Sequence, residues 1–349
     1  MSEEINSTVE KPKEINMSEE IIKAEGLTKV FNKHLTAVDH VNFSVKHGEI
    51  FGFLGPNGAG KTTTINMLIT LLKPTEGKAS VLDFDIAKQN NDVRNVIGVV
   101  PQEYTADDDL TGLENILLCA DLYGIPHQTA KERSIELLKL VELTDFRDKK
   151  VATYSGGMRR RLELACGLIN RPKILFLDEP TLGLDVQTRT ATWNYIRRLK
   201  EEFGMTLFMT THYLEEADSL CDRVAIIDHG KIIVTGTPEE LKHNLGGDVI
   251  TLSVKDDPDV TDLIRAVGNV KEVKKENGSY RIKAEYGEVT APSVIEALRK
   301  KGHVVTKLML TEPTLNEVYL EYTGRSLRDT EDSVESSRTQ RMTMRRARA

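Results

Sequence analysis

Apolar positions along the chain fall into two kinds of run. Short, nearly uninterrupted stretches carry the continuous burial of strands covered on both faces: "EIFGFLG" at Glu49–Gly55, "KILFLDEP" with Ile174–Leu177 unbroken, "MTLFMTTH" and "RVAIIDHGKIIVTG". Between them lie longer segments with apolar residues every three or four positions. "TTTINMLITLL", Thr62–Leu72, predicts a helix closed by Lys73-Pro74, and a block over roughly Gly112–Asn170 is more helical than its surroundings. This alternation, from about Ile21 to Thr237, predicts an α/β fold with a substantially parallel sheet. From about Asn244 to Gly324 the order becomes strand "VITLSV", helix "VTDLIRAVG", strands "VKEVKKE" and "SYRIKAEY" around Asn277-Gly278, helix "APSVIEALRKKG" and strand "VVTKLML". That is the β-α-β-β-α-β order of a ferredoxin-like module. "TLNEVYLEYTG" then reads as a helix introduced by Pro313 and stopped by Gly324.

Both ends lack this periodicity. The start is acidic and polar and contains "MSEEI" twice, leaving Met1 and Met17 as alternative starts, whereas the end is rich in Arg, Ser and Thr. Both read as disordered. The expected division is a tail at 1–20, an α/β domain at 21–243, a regulatory or dimer-contact module at 244–324 and a tail at 325–349. The length of 349 residues suits two domains. The charge narrows the partners: 47 basic against 54 acidic residues give −7, without the basic footprint of a nucleic-acid binder. No stretch reads as a secretory signal or spanning segment, so contact with a membrane is expected only through a partner. Three scattered cysteines, Cys119, Cys166 and Cys221, fit a reducing, cytoplasmic setting.

The chemistry begins at "GPNGAGKTT", Gly55–Thr63, which fits GxxxxGK[ST] between a strand and a helix. Gly55, Pro56, Asn57, Gly58, Ala59 and Gly60 would curl backbone N–H groups around a phosphate. Lys61 would add a full positive charge, and Thr62 and Thr63 their hydroxyls, with Thr62 available to Mg²⁺. In "ILFLDEP", Asp178 at the mouth of a buried strand is placed to hold Mg²⁺, and Glu179 faces the γ-phosphate as candidate general base.

A second feature resists explanation by propensity. "TYSGGMRRRLELACGLI", Thr153–Ile169, opens a helix on two glycines, each costing about 0.8–1.0 kcal/mol in a helix interior. Three arginines follow, where positive charge opposes the helix dipole. With the phosphate motif, this stretch resembles the ATP-binding cassette (ABC) ATPases, whose signature loop is ordinarily LSGGQ. Further elements follow in that family's order. "VVPQE" places Gln102 in the Q-loop, "LGLD" places Asp185 in the D-loop, "TTHYLEEAD" makes His212 the switch histidine, and Phe31 lies upstream where an aromatic stacks on adenine.

The resemblance implies a P-loop NTPase ABC core with a helical signature subdomain, followed by a small α+β ferredoxin-like module. It implies that two ATPase subunits pair head to tail, so that Ser155, Gly156, Gly157 and Met158 cap the nucleotide held by the partner's Lys61. It also implies that Gln102 joins Thr62 and Asp178 at Mg²⁺, and acts with Glu179 and His212 in hydrolysis. Tyr154 and Met158 replace the usual Leu and Gln. One ATPase core requires a second subunit, most simply another copy. The form "YSGGMRRRLELA", with "EPTLNEVYLEYTGRSLRD" near the end, resembles the ATP-binding subunits of ABC-2-type exporters of the daunorubicin-resistance-like group. These are peripheral on the inner face of the cell membrane and drive a separate integral permease. A non-transport ABC ATPase and a nucleotide-sensing regulatory subunit are the alternative roles.

Overall fold

The first described strands belong to an antiparallel sheet, which precedes the largely parallel one that the apolar runs predict. Glu20–Phe31 (β1) pairs with Leu35–Lys46 (β2). Ile50–Leu54 (β3) then enters the central sheet and leads into the helix Lys61–Leu68 (α1). Glu76–Val81 (β4) and Phe84–Asp85 (β5) return to the first sheet, ordered β2-β1-β4-β5. The computed structural model describes residues 19–325 except 33, 246, 277 and 312. The readings made on 1–18, on Asn277 and on 326–349 lie outside the described residues. Glu20 and Arg325, assigned above to tails, are ordered: Glu20 starts β1, and Arg325 pairs with Asp228 at 2.7 Å.

The helix α1 is shorter than Thr62–Leu72. It ends at Leu68 because Thr70 takes φ 66°, and the N–H groups of Leu71 and Leu72 both turn back to the Asn66 carbonyl. Arg94 holds that turn, donating to the Thr70 hydroxyl at 2.8 Å and to its carbonyl at 3.3 Å. Asn90–Val96 (α2) and Ile97–Val100 (β6) follow. The helical block is Gly112–Leu122 (α3), His127–Leu140 (α4) and Gly156–Leu168 (α5). Ile174–Asp178 (β7), Val186–Phe203 (α6), Thr206–Thr211 (β8), Leu214–Leu220 (α7), Arg223–Asp228 (β9) and Lys231–Gly236 (β10) complete the central sheet, ordered β10-β9-β3-β8-β7-β6. Five of its six strands are parallel; β10 folds back on β9.

The central strands β3, β7 and β8 are buried along their whole length because each face meets a different core. Phe51, Phe53, Phe176 and Phe208 pack with Phe43 of the first sheet, whereas Ile50, Leu54, Leu177 and Met209 face the helical block. Each such side chain contributes about 1.5–3 kcal/mol through burial.

After Pro238–His243 (α8), the strands and helices Asp248–Val254 (β11), Thr261–Arg265 (α9), Val270–Glu276 (β12), Ser279–Ala284 (β13), Gly287–Lys300 (α10) and Val305–Thr311 (β14) form an antiparallel sheet ordered β12-β13-β11-β14. The ferredoxin-like order is present, though α9 is shorter than "VTDLIRAVG" and α10 starts four residues before Ala291. The last helix, Leu315–Thr323 (α11), leaves this module: its Leu315, Val318 and Tyr319 are buried in the core of the helical block.

Candidate active site

The turn between β3 and α1 is shaped by contact on both sides. Gly60 stands at φ 108°, and a Cβ there would lie 2.4 Å from the Ala37 carbonyl oxygen, so only glycine lets the loop close before the helix begins at Lys61. The Lys61 ammonium is buried. It donates to the Gly55 carbonyl at 2.6 Å and the Pro56 carbonyl at 3.2 Å, and lies 3.1 Å from Glu179 Oε1.

Glu179 follows β7 at φ 49°, a left-handed conformation that costs a non-glycine residue about 1–2 kcal/mol. Its N–H is held by the Thr210 carbonyl at 3.2 Å and the Thr210 hydroxyl at 3.0 Å. Beyond this kink its carboxylate meets both Lys61 and His212, whose Nδ1 is 3.0 Å from Oε2. Burial works to raise the Glu179 carboxyl, but the His212 hydrogen bond and the Lys61 charge outweigh it and hold it below its ordinary value. Asp178 behaves oppositely: burial lifts it, despite hydrogen bonds from Thr210 and from Thr62 at 3.2 Å. Two adjacent carboxylates are thus tuned apart, with an ionised Glu179 able to act as a base.

Sequence motifs far apart in the chain therefore converge: Gly55, Pro56, Lys61, Thr62, Asp178, Glu179 and His212 form one bonded set. Among the described residues, no cluster of three or more His, Cys, Asp or Glu side chains forms a ready-made metal cage. The adjoining hard oxygens of Thr62 and Asp178 suit Mg²⁺. Asn57 and Gly58 are exposed on the loop, Ala59 is buried and Thr63 half-buried.

The remaining predicted residues stand outside that set of bonds. Phe31 lies at the end of β1, with the Lys29 ammonium 5.3 Å from its ring centroid. Gln102 is half-buried after β6. Asp185 caps α6, accepting from the Thr188 N–H at 3.0 Å and hydroxyl at 2.6 Å. Ser155 caps α5 through the Met158 N–H at 3.3 Å.

The two glycines differ in their surroundings within the chain. Gly156 is exposed with room around it, but a Cβ on Gly157 would lie 2.4 Å from Thr188 Cγ2, so this glycine lets α5 approach α6 within the chain. Met158 packs against the core, and Tyr154 is buried with its hydroxyl donating to the Phe146 carbonyl at 2.8 Å. The departures from LSGGQ thus anchor the loop from behind.

Sequence reasoning missed Thr210, whose hydroxyl serves both acidic residues, and Glu216. The fully buried Glu216 carboxylate accepts from the Thr181 hydroxyl at 2.8 Å and Trp193 Nε1 at 3.0 Å, tying the loop after Glu179 to α6 and α7. Thr210 could have been found from strand alternation beside His212; nothing local signals the partners of Glu216.

Residues 38–182 match the ABC transporter family, and residues 236–323 match the C-terminal domain of DrrA1-3-like ATP-binding proteins. The chain is 39% identical over 322 residues to the daunorubicin/doxorubicin resistance ATP-binding protein DrrA of Streptomyces peucetius, covering 91% of this chain and 97% of that protein. It is 38% identical over 299 residues to the Nod factor export ATP-binding protein I of Sinorhizobium fredii, covering 84% and 83%. Among solved structures, a dimeric post-hydrolysis state of the cassette MJ0796 bound to ADP and Pi superposes with TM-score 0.56 at 29% identity, covering 62% of this chain and 98% of that one. Sequence kinship, the P-loop fold and the convergent phosphate motifs lead to one conclusion: this chain belongs to the ABC transporter family, as an ATP-binding and ATP-hydrolysing subunit that powers export.

Proposed function

We propose that ATP binds with its phosphates over Gly55–Thr63 and its adenine against Phe31, and that Glu179 is the general base of hydrolysis. The observation that carries this reading is the buried set Lys61, Glu179 and His212, with Thr62 and Asp178 alongside. Lys61 neutralises phosphate charge. Glu179, held ionised and bonded to His212, takes a proton from the attacking water, and His212 orients that carboxylate. Thr62, Asp178 and Gln102 would hold Mg²⁺, which when bound offsets charge on the phosphate oxygens.

Ser155, Gly156, Gly157 and Met158, with Asp185, serve a second copy of the chain in a head-to-tail dimer, so ATP closes the pair and hydrolysis reopens it. The exposure of Ser155, Gly156 and Asp185 supports that reading. Residues 21–243 are the motor domain, with the helical subdomain at about 112–170, and 244–324 a regulatory or dimer-contact module. Among the described residues no helix is long and apolar enough to cross a membrane. An integral permease therefore supplies the pathway and reads the cargo, with this subunit on the cytoplasmic face. Names as different as doxorubicin resistance and Nod factor export among the relatives support placing cargo choice in the permease.

Glu179→Gln tests the mechanism. The variant should bind ATP, accumulate a dimer by size-exclusion chromatography and lose about 10²–10⁴-fold in turnover. Parental hydrolysis by this variant would remove Glu179 as the base.

A further inference from the structure

The three arginines after the signature loop do three different things. Arg159 reaches Asp108 at 2.5 Å, and Arg161 donates to the Val141 carbonyl at 3.2 Å and Tyr195 hydroxyl at 3.4 Å; both remain partly exposed. Arg160 is only 1% exposed. Its two terminal nitrogens donate to the carbonyls of Pro101 at 2.8 Å and Gln102 at 2.9 Å, and its guanidinium sits 5.1 Å from the Tyr104 ring centroid. The Tyr104 hydroxyl in turn donates to the Gly156 carbonyl at 3.3 Å, inside the signature loop.

One turn along α5, Glu163 is 2% exposed and reads the same segment from the other side. It accepts from the Thr105 N–H at 2.6 Å, the Ala106 N–H at 2.8 Å and the Thr105 hydroxyl at 2.8 Å. Residues three apart share a helix face, so Arg160 and Glu163 form one recognition edge for the backbone of Pro101–Ala106. Burying these charges is costly, and the bill is not cleared by pairing alone: Arg160 Nε has no hydrogen-bond partner among the described residues, and burial pulls the guanidinium below its ordinary value. An apolar residue would fill the space at lower cost but could not hold two carbonyls. The far half of α5 is fitted against β6, where a Cβ on Gly98 would lie 2.0 Å from the Gly167 carbonyl oxygen. One helix thus carries the signature loop at its start, the Gln102 segment at its middle and a fixed seat on the central sheet at its end.

We propose that Arg160 and Glu163 are positioning residues that lock the Gln102 segment to the signature helix, so that Gln102 and the Ser155–Met158 loop keep a fixed spacing as the site closes. This rests on the reading of Gln102 as a residue of the nucleotide site. Freed carbonyls at Pro101 and Gln102 would let that segment shift, a loss that falls on the closed, reacting arrangement more than on nucleotide binding.

The test uses the full-length chain with R160M, R160K, Q102A and the R160M/Q102A pair, measuring Mg-ATP turnover and, separately, equilibrium binding of a fluorescent ATP analogue. R160M should lower kcat by about tenfold or more while the analogue's Kd stays within about twofold of parent. R160K, which keeps the charge but not the fork, should fall between. Because Arg160 acts through Gln102, the double variant should be no slower than Q102A beyond about twofold. Parental kcat in R160M beside an impaired Q102A overturns the clamp, as do losses that multiply in the pair; parental kcat in Q102A instead overturns the reading of Gln102. Should R160M fail to fold, E163Q decides. It keeps the shape but weakens acceptance from Thr105 and Ala106, and is expected to lower kcat about threefold or more at unchanged Kd; parental kcat there overturns the proposal.

Discussion

On the proposed reading the phosphate loop and the signature loop serve one kind of site, yet they are built on opposite principles. Around Lys61 the charges are buried and satisfied inside the chain: ammonium against carboxylate at 3.1 Å, carboxylate against imidazole at 3.0 Å, and carbonyls closing the remainder. Around Ser155 the backbone is exposed, and what is buried lies behind it, in Tyr154, Arg160 and Glu163. A group that carries charge through folding needs an internal partner. Amides that, as proposed, meet their ligand only when two subunits join can be left to water. The first half should therefore be coupled to binding and strongly to stability, and the second to turnover with only the small stability of a helix cap.

Lys61→Ala probes this contrast most severely. ATP affinity should collapse, and stability should fall by up to about 3–5 kcal/mol, because Glu179 is left buried without its cation. His212 remains beside it, so the lower part of that range is expected. Adding Glu179→Gln should return much of the lost stability without restoring ATP binding, as denaturant titration with and without nucleotide would read. If the double variant is no more stable than the single one, the buried pair is not what links this half of the site to the fold.

Ser155→Ala should behave in the opposite way. It removes a helix cap worth about 1 kcal/mol, so the chain stays folded and its ATP affinity as a monomer stays near parental, while turnover falls. A loss of monomer affinity matching the loss of turnover would erase the distinction between the halves. Gly157 sharpens the point. Gly157→Ala drives a methyl into Thr188 Cγ2 and should slow turnover, and Thr188→Ser, which removes that methyl while keeping the hydroxyl bonded to Asp185, should restore it. Failure of the rescue would move the requirement for glycine from the α5–α6 contact to the approach of phosphate.

These contrasts also explain what could be read in advance. Lys61, Asp178, Glu179 and the glycines before them announce themselves because phosphate chemistry demands those residue types at fixed spacings beside a strand. The central strands were legible because double-sided burial leaves an unbroken apolar run. The antiparallel sheet of β1, β2 and β4 was not, because its strands mix polar and apolar positions in a pattern broken by register shifts. Thr70 ended α1 early through a tertiary clasp with Arg94 that no local propensity records. Nothing in the sequence sets Arg160 apart from Arg159 and Arg161, because a carbonyl partner 58 or 59 residues away leaves no mark on neighbouring positions.

Glu216, which ties the loop after Glu179 to α6 and α7, carries the smallest expected effect. Burial raises its carboxyl above the ordinary value, against the hydrogen bonds of Thr211, Thr181 and Trp193. A carboxyl raised in the folded state favours the protonated form there. Its contribution is therefore fully present below the unfolded value of about 4.3, and is lost as pH rises through the higher folded value. Glu216→Gln keeps an acceptor for Thr181 and Trp193 but cannot ionise. Relative to parent, its melting temperature should improve as pH rises from the acid range and level off above the folded pKa, leaving the variant at least as stable near neutrality. Should Glu216→Gln be less stable at neutral pH than at acid pH relative to parent, the joint is held by the charge on Glu216. If the difference rises as expected, the geometry of the hydrogen bonds from Thr181 and Trp193 holds the joint, and the α6–α7 contact does not need a charge on Glu216.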